Sequence, residues 1–148
     1  MTDALYRPGG WPPSTALRLN MEEYYLEIRS IHLAAATLSG LLLVSRSVAL
    51  NAFGGAWARA SWARMLALGV NAILLLAAAA LTTIIGQYPL ANAWLTVKAL
   101  LLLAYLLLGR TALEARSVRL RWAALAGALI AFVTIIWVAN AHRLGLFE

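Results

Sequence analysis

The chain has 148 residues, of which 63% are hydrophobic and 12% charged, with a formal net charge of +6. That leaves too little polar surface for a soluble domain built on one core, and the apolar residues are gathered in long runs, so the sequence reads as an all-α integral membrane protein. There is no cysteine, which excludes disulfides, thiolate metal sites, iron-sulfur clusters and covalent haem attachment through a cysteine pair.

Residues 1–20 contain Pro8, Gly9, Gly10, Pro12 and Pro13 and no apolar run, so they fit neither a cleavable signal peptide nor a span. They read as a flexible or interfacial N-terminal extension, and residues 21–148 as the transmembrane domain. Met21 precedes an amphipathic opening, Glu22, Glu23, Tyr24, Tyr25, Leu26 and Glu27. Four runs then approach the roughly 20 residues that a spanning helix needs: residues 28–50, 63–85, 91–108 and 122–140. Backbone groups in lipid must be paired internally, so the expectation is four helices in an antiparallel bundle.

The second and third runs are joined by Gly86, Gln87, Tyr88, Pro89 and Leu90, whose glycine and proline stop helix propagation. The other two connections, residues 51–62 and 109–121, fall on the opposite side. That side carries Arg46, Arg59, Arg64, Arg110, Arg116, Arg119 and Arg121, whereas Arg18, Arg29 and Arg143 lie near the helices on the termini side. The positive-inside rule then makes the arginine-rich side cytoplasmic and puts both termini on the exterior, periplasmic side of a bacterial inner membrane. This topology accounts for the basic charge without nucleic acid, and no soluble domain is present for direct DNA binding.

The polar residues inside the runs are the candidates for function. Lys98 is the sole lysine, and an intramembrane charge usually faces protein or a water-filled cavity. His32 and Lys98 each lie about 7 to 10 Å inside their helix starts at 1.5 Å per residue, and His142 follows the end of the fourth run. All three can meet in the exterior leaflet. On the first helix His32, Ala36, Ser39, Leu43 and Ser47 share one face, and on the third Lys98, Leu102, Tyr105 and Gly109 do so. With Asn71 on the second helix, they form a polar seam that opens outward. Each residue also has a structural reading: Lys98 can snorkel to the interface, His32 and Asn71 can be interhelical hydrogen-bonding groups, and the arginines can serve topology and headgroup contact.

Two cofactor chemistries fit that seam. His32 and His142 can ligate haem iron while Lys98 or Arg29 meets a propionate; alternatively, a quinone head or another small polar ligand can take a hydrogen bond from His32 or Lys98 while its tail lies among the leucines, with Tyr105 also a candidate for the cofactor site. Each histidine stands alone on its helix, and Glu114 is the sole acidic residue between the first and last runs. With no G-x-S-x-G elbow, phosphate loop or H-E-x-x-H, no catalytic residue is assigned.

The segment 25–32 with Ser39 and Gly40, the run Trp94, Leu95, Thr96, Val97 and Lys98, the stretch 105–109, and Ala141, His142, Leu144 and Gly145 resemble the SirB family. These are small bacterial inner-membrane proteins named for an effect on invasion-gene expression. The resemblance covers about residues 21–147 and implies a four-helix membrane protein; where its members place Ile-Asp in the second helix, this chain has Val70 and Asn71. A more distant similarity is to HemJ-type protoporphyrinogen oxidases, whose tryptophan-leucine-histidine-x-lysine opening aligns with residues 94–98, with Thr96 in place of the histidine. The combined expectation is a non-catalytic accessory or regulatory subunit that meets a membrane protein partner or a second copy of itself. The alternative is a redox protein binding haem b or a quinone near His32, Lys98 and His142.

Overall fold

The computed structural model describes the backbone of residues 15–87 and 90–143, and side chains between residues 23 and 141 apart from 88 and 89. Four helices follow one another: α1 (Thr15–Phe53), α2 (Ser61–Ile85), α3 (Ala93–Glu114) and α4 (Val118–Arg143), with a single 3-10 turn (Ala56–Arg59) between the first two. No strand occurs among the described residues. All four helices contain a segment long and apolar enough to cross a membrane, so the protein is a multi-pass, all-helical membrane protein.

The helix ends differ from the sequence expectation in instructive places. α1 begins at Thr15, inside the segment set apart as an extension, and its 39 residues run about 58 Å at 1.5 Å per residue, well beyond a hydrocarbon layer of about 30 Å. No proline or glycine interrupts it before Gly40. α2 stops where expected: Gly86 takes the left-handed conformation at φ 69°, which glycine adopts without steric cost, and its N–H closes on the Thr82 carbonyl. α3 does not stop at Leu108 but continues to Glu114, because Gly109 acts as a packing residue and not as a terminator. A Cβ at Gly109 would lie 3.3 Å from Leu43 Cδ2, so glycine there lets α3 approach α1 closely. The connection into α4 therefore shortens to Ala115, Arg116 and Ser117.

The helices do not pack equally. α3 and α4 form the most extensive pair, α1 packs along α2, and α1 also meets both α3 and α4. The core lies among α1, α3 and α4, where Leu43, Tyr105, Leu113, Leu125 and the small residues Ala128 and Ala131 are buried. Such small residues let transmembrane helices come close enough for dispersion contacts, which substitute for a hydrophobic driving force in lipid. Gly40 against the Phe132 ring and Gly127 against Leu108 extend the same principle.

α2 is the exception. Its buried residues, Ala63, Val70, Leu74 and Ala77, recur at three- and four-residue spacing and form one narrow stripe against α1. α2 packs chiefly on α1 and on the 3-10 turn, leaving Met65, Leu68, Leu76 and Ile73 exposed. α1 starts and α4 ends at one end of the bundle; Trp57 and Trp62 stack at the other, with ring centroids 6.0 Å apart. Exposed tryptophans at that level match an interfacial belt.

Candidate functional site

Three polar side chains from three helices meet in the bundle interior. The Ser39 hydroxyl on α1 donates to Asn71 Oδ1 on α2 at 2.7 Å and lies 2.8 Å from the Tyr105 hydroxyl on α3. Because the serine proton is committed to the amide oxygen, the Tyr105 O–H donates to Ser39 Oγ. The Tyr105 ring in turn leans on Phe132 of α4, with centroids 5.6 Å apart at 39°. One knot thus touches all four helices. Asn71 presents the Ser39 hydroxyl with a neutral acceptor.

The knot stands at the inner end of a cleft of about 1160 Å³ whose floor is α1 and whose walls are α2 and α3. Ala67, Leu68, Ala72 and Leu75 line the α2 wall, with Leu106 opposite. Its other end is ringed by Arg46, Arg59, Arg64, Arg110, Arg116 and Arg121. Two of these are fixed by backbone: Arg46 Nε donates to the Ala58 carbonyl at 2.9 Å, and Arg59 Nε donates to the Leu113 carbonyl at 3.1 Å. Arg59 therefore ties the 3-10 turn across to the end of α3. Arg46 is buried, at 7% exposure, seven residues inside the end of α1. Glu114 is the one carboxylate lining the cleft, and its Oε2 is engaged by Arg110 Nε at 2.7 Å.

The expected seam opens outward around His32, Lys98 and His142, whereas this cleft opens toward the arginine-rich end. His32 is half-buried, lies near the backbone of Leu74 and is within electrostatic range of Lys98. Its Nδ1 is buried and makes no hydrogen bond. Lys98 Nζ rests over the Trp94 ring at 4.3 Å from the centroid, on the preceding turn of its own helix. That is a snorkelling conformation with a cation–π contact at its end. Arg29 is half-buried one turn before His32. His142 falls in the last turn of α4, and its side chain lies outside the described residues. Of the proposed cofactor-binding residues with described side chains, His32, Lys98, Arg29 and Tyr105, only Tyr105 lines the cleft, beside the seam residues Ser39 and Asn71.

Thr96 has a structural role at the start of α3. Its hydroxyl accepts the Leu90 N–H at 2.8 Å and donates to the Asn92 carbonyl at 3.1 Å. Leu90 holds a φ of 78°, costly for a non-glycine residue, and this clamp offsets part of that cost. Among the described residues, no three His, Cys, Asp or Glu side chains converge on a possible metal position.

The cleft arginines were legible in the sequence as topology determinants and headgroup contacts, not as the lining of one cleft. Arg46 carried a usable signal: like Lys98 it is a charge within an apolar run, and a charge at that depth needs a specific environment.

Fold and cleft together define a four-helix, multi-pass membrane protein with an internal polar knot and a basic cleft. The family described as "SirB: Invasion gene expression up-regulator, SirB" matches residues 25–144, and the chain belongs to it. No curated protein and no solved structure matches the chain.

Proposed function

We propose that this SirB-family protein is a non-catalytic accessory or regulatory subunit of a larger membrane assembly. In this reading it sits in the bacterial inner membrane, with the arginine-rich end in the cytoplasm and the termini on the periplasmic side. The arginine asymmetry across the helix ends supports that orientation. The observation that carries the role is the packing of α2, which buries a narrow stripe, chiefly against α1, and leaves Met65, Leu68, Ile73 and Leu76 exposed in the monomer. Partner helices of membrane complexes dock on such faces through dispersion and small-residue contacts. The polar knot points the same way, since its three members satisfy one another and leave no activated nucleophile or base.

A photo-crosslinking residue placed at Leu76 on α2, compared with one at Ile130 on α4, tests the reading in native membranes; both positions are exposed, at 70% and 68%. A discrete companion protein joined through position 76 and not through 130, and retained in mild detergent, is the expected result. Purification as a bare monomer with no adduct at either position removes the reading.

One observation favours a second reading, a haem- or quinone-binding redox protein: the buried Nδ1 of His32 has no hydrogen-bond partner, and the His32 ring is within electrostatic range of Lys98. His32 and His142 would be the metal ligands, with Lys98 or Arg29 facing acidic substituents. Haem would supply one-electron chemistry. A Soret band in haem-replete preparations that is lost in His32→Ala supports this reading; its absence from the unaltered protein eliminates haem.

A further inference from the structure

We infer that the α2–α3 cleft binds a phosphate-bearing anionic lipid, with its headgroup among Arg46, Arg59, Arg64 and Arg121 and an acyl chain along the α2 wall. The charge balance is the first ground. Six arginines line the cleft against one carboxylate, and that carboxylate is already paired with Arg110. Arg46 and Arg64 lie close enough to interact electrostatically with no acidic side chain between them, so two like charges are held at one site. Arg46 does so while buried. Arg121 Nε is also buried without a hydrogen-bond acceptor. An anion with several oxygens relieves all three conditions at once, because guanidinium groups present planar pairs of donors that match phosphate.

The shape selects an amphiphile. The volume, about 1160 Å³, exceeds that of ordinary small-molecule pockets, roughly 300 to 1,000 Å³. The arginines occupy one end only, and from them the α2 wall runs through Ala67 and Leu68 to Asn71 of the knot and on past it to Ala72 and Leu75, with Leu106 opposite. From Arg64 to Leu75 the α2 wall runs about 16 Å at 1.5 Å per residue, close to half of a hydrocarbon layer of about 30 Å. That is the depth of one leaflet. Basic pockets between helices near one membrane surface recognise multiply charged headgroups in this way. Because Arg46 Nε is anchored on Ala58 and Arg59 Nε on Leu113, the donors are held in place before the lipid arrives.

Native mass spectrometry of the purified full chain, titrated separately with cardiolipin, phosphatidylglycerol, phosphatidylcholine and inorganic pyrophosphate, tests the site. Expected is one retained anionic lipid per chain, held in preference to phosphatidylcholine and to pyrophosphate. Its apparent affinity should fall about fivefold in Arg64→Gln, the share one basic residue contributes beside an anionic headgroup. Arg46→Gln should weaken it at least as much. Because that variant also loses the Ala58 contact and risks misfolding, the exposed Arg64 provides the decisive variant. Arg119→Gln, which is exposed and outside the cleft, should leave retention unchanged. Equal retention of phosphatidylcholine, or equal loss in Arg119→Gln and Arg64→Gln, overturns the proposal. So does pyrophosphate binding as tightly as lipid, or a co-purifying polypeptide that excludes cardiolipin from the cleft.

Discussion

The hydroxyl of Tyr105 lies 2.8 Å from that of Ser39, and this bond joins the α3–α4 pair to the α1–α2 pair at the inner end of the cleft. Interhelical hydrogen bonds in membranes contribute about 0.6 kcal/mol on average and up to about 1.7, so the knot is a modest stabiliser. Its larger effect is to fix the azimuth of three helices about one point.

Tyr105→Phe and Ser39→Ala should each lower stability in detergent by about 1 kcal/mol. Ser39→Ala removes both bonds of the knot, so adding Tyr105→Phe to it should cost less than Tyr105→Phe costs alone. A double-mutant cycle read by reversible unfolding checks this, and strict additivity would show that the two hydroxyls do not interact.

Gly109→Val should destabilise the bundle by about 1 to 3 kcal/mol, the usual cost of overpacking, because its side chain meets Leu43. Trimming that neighbour in the Gly109→Val, Leu43→Ala double variant should cost less than the sum of the single changes. Thermal unfolding in one detergent gives all three values. A Gly109→Val protein as stable as the parent would mean that α1 and α3 do not approach as described.

Thr96→Val should loosen the link between α2 and α3, since it strips the acceptor from Leu90 N–H and the donor to Asn92. Faster amide exchange near Leu90 and Asn92 is the expected signature, with Thr96→Ser close to the parent. Equal exchange in the two variants would remove the clamp from the account.

Lys98→Met should change stability by less than about 1 kcal/mol, because the ammonium lies over Trp94 near the helix end and a cation–π contact at such a site contributes about 0.5 to 1 kcal/mol. Tryptophan emission should shift while the unfolding midpoint barely moves. A gain of several kcal/mol would instead mark Lys98 as an unrelieved buried charge of the kind that functional sites retain.

The number and approximate extent of the helices were readable from hydropathy because lipid leaves a long apolar run few alternatives. Gly109 and Arg46 show where such reading stops. A glycine followed by an arginine looks like a helix end, yet Gly109 faces Leu43 and α3 runs on to Glu114; only the neighbouring helix distinguishes contact from termination. Ser39, Asn71 and Tyr105 were each visible as polar positions on plausible faces. Their sharing of a seam was expected, but not their direct bonds or the cleft they line, since spacing along a helix gives depth and face but not which neighbour that face addresses. The cleft was hidden for the same reason: a five-residue connection between the second and third apolar runs suggests packed neighbours, whereas α2 packs chiefly on α1 and α3 chiefly on α4.

The separation of α2 from α3 is the relationship on which the cleft, its lipid and the free face of α2 all depend. With no cysteine in the chain, paired cysteines can be introduced and bridged with a short bifunctional thiol reagent in native membranes. The pair Ser39→Cys and Asn71→Cys, across a direct contact of 2.7 Å, should be bridged rapidly. The pair Leu68→Cys and Leu106→Cys, on opposite walls of the cleft, should remain unbridged. Bridging of the second pair as readily as the first would show that α2 and α3 pack against each other, and would contradict the account.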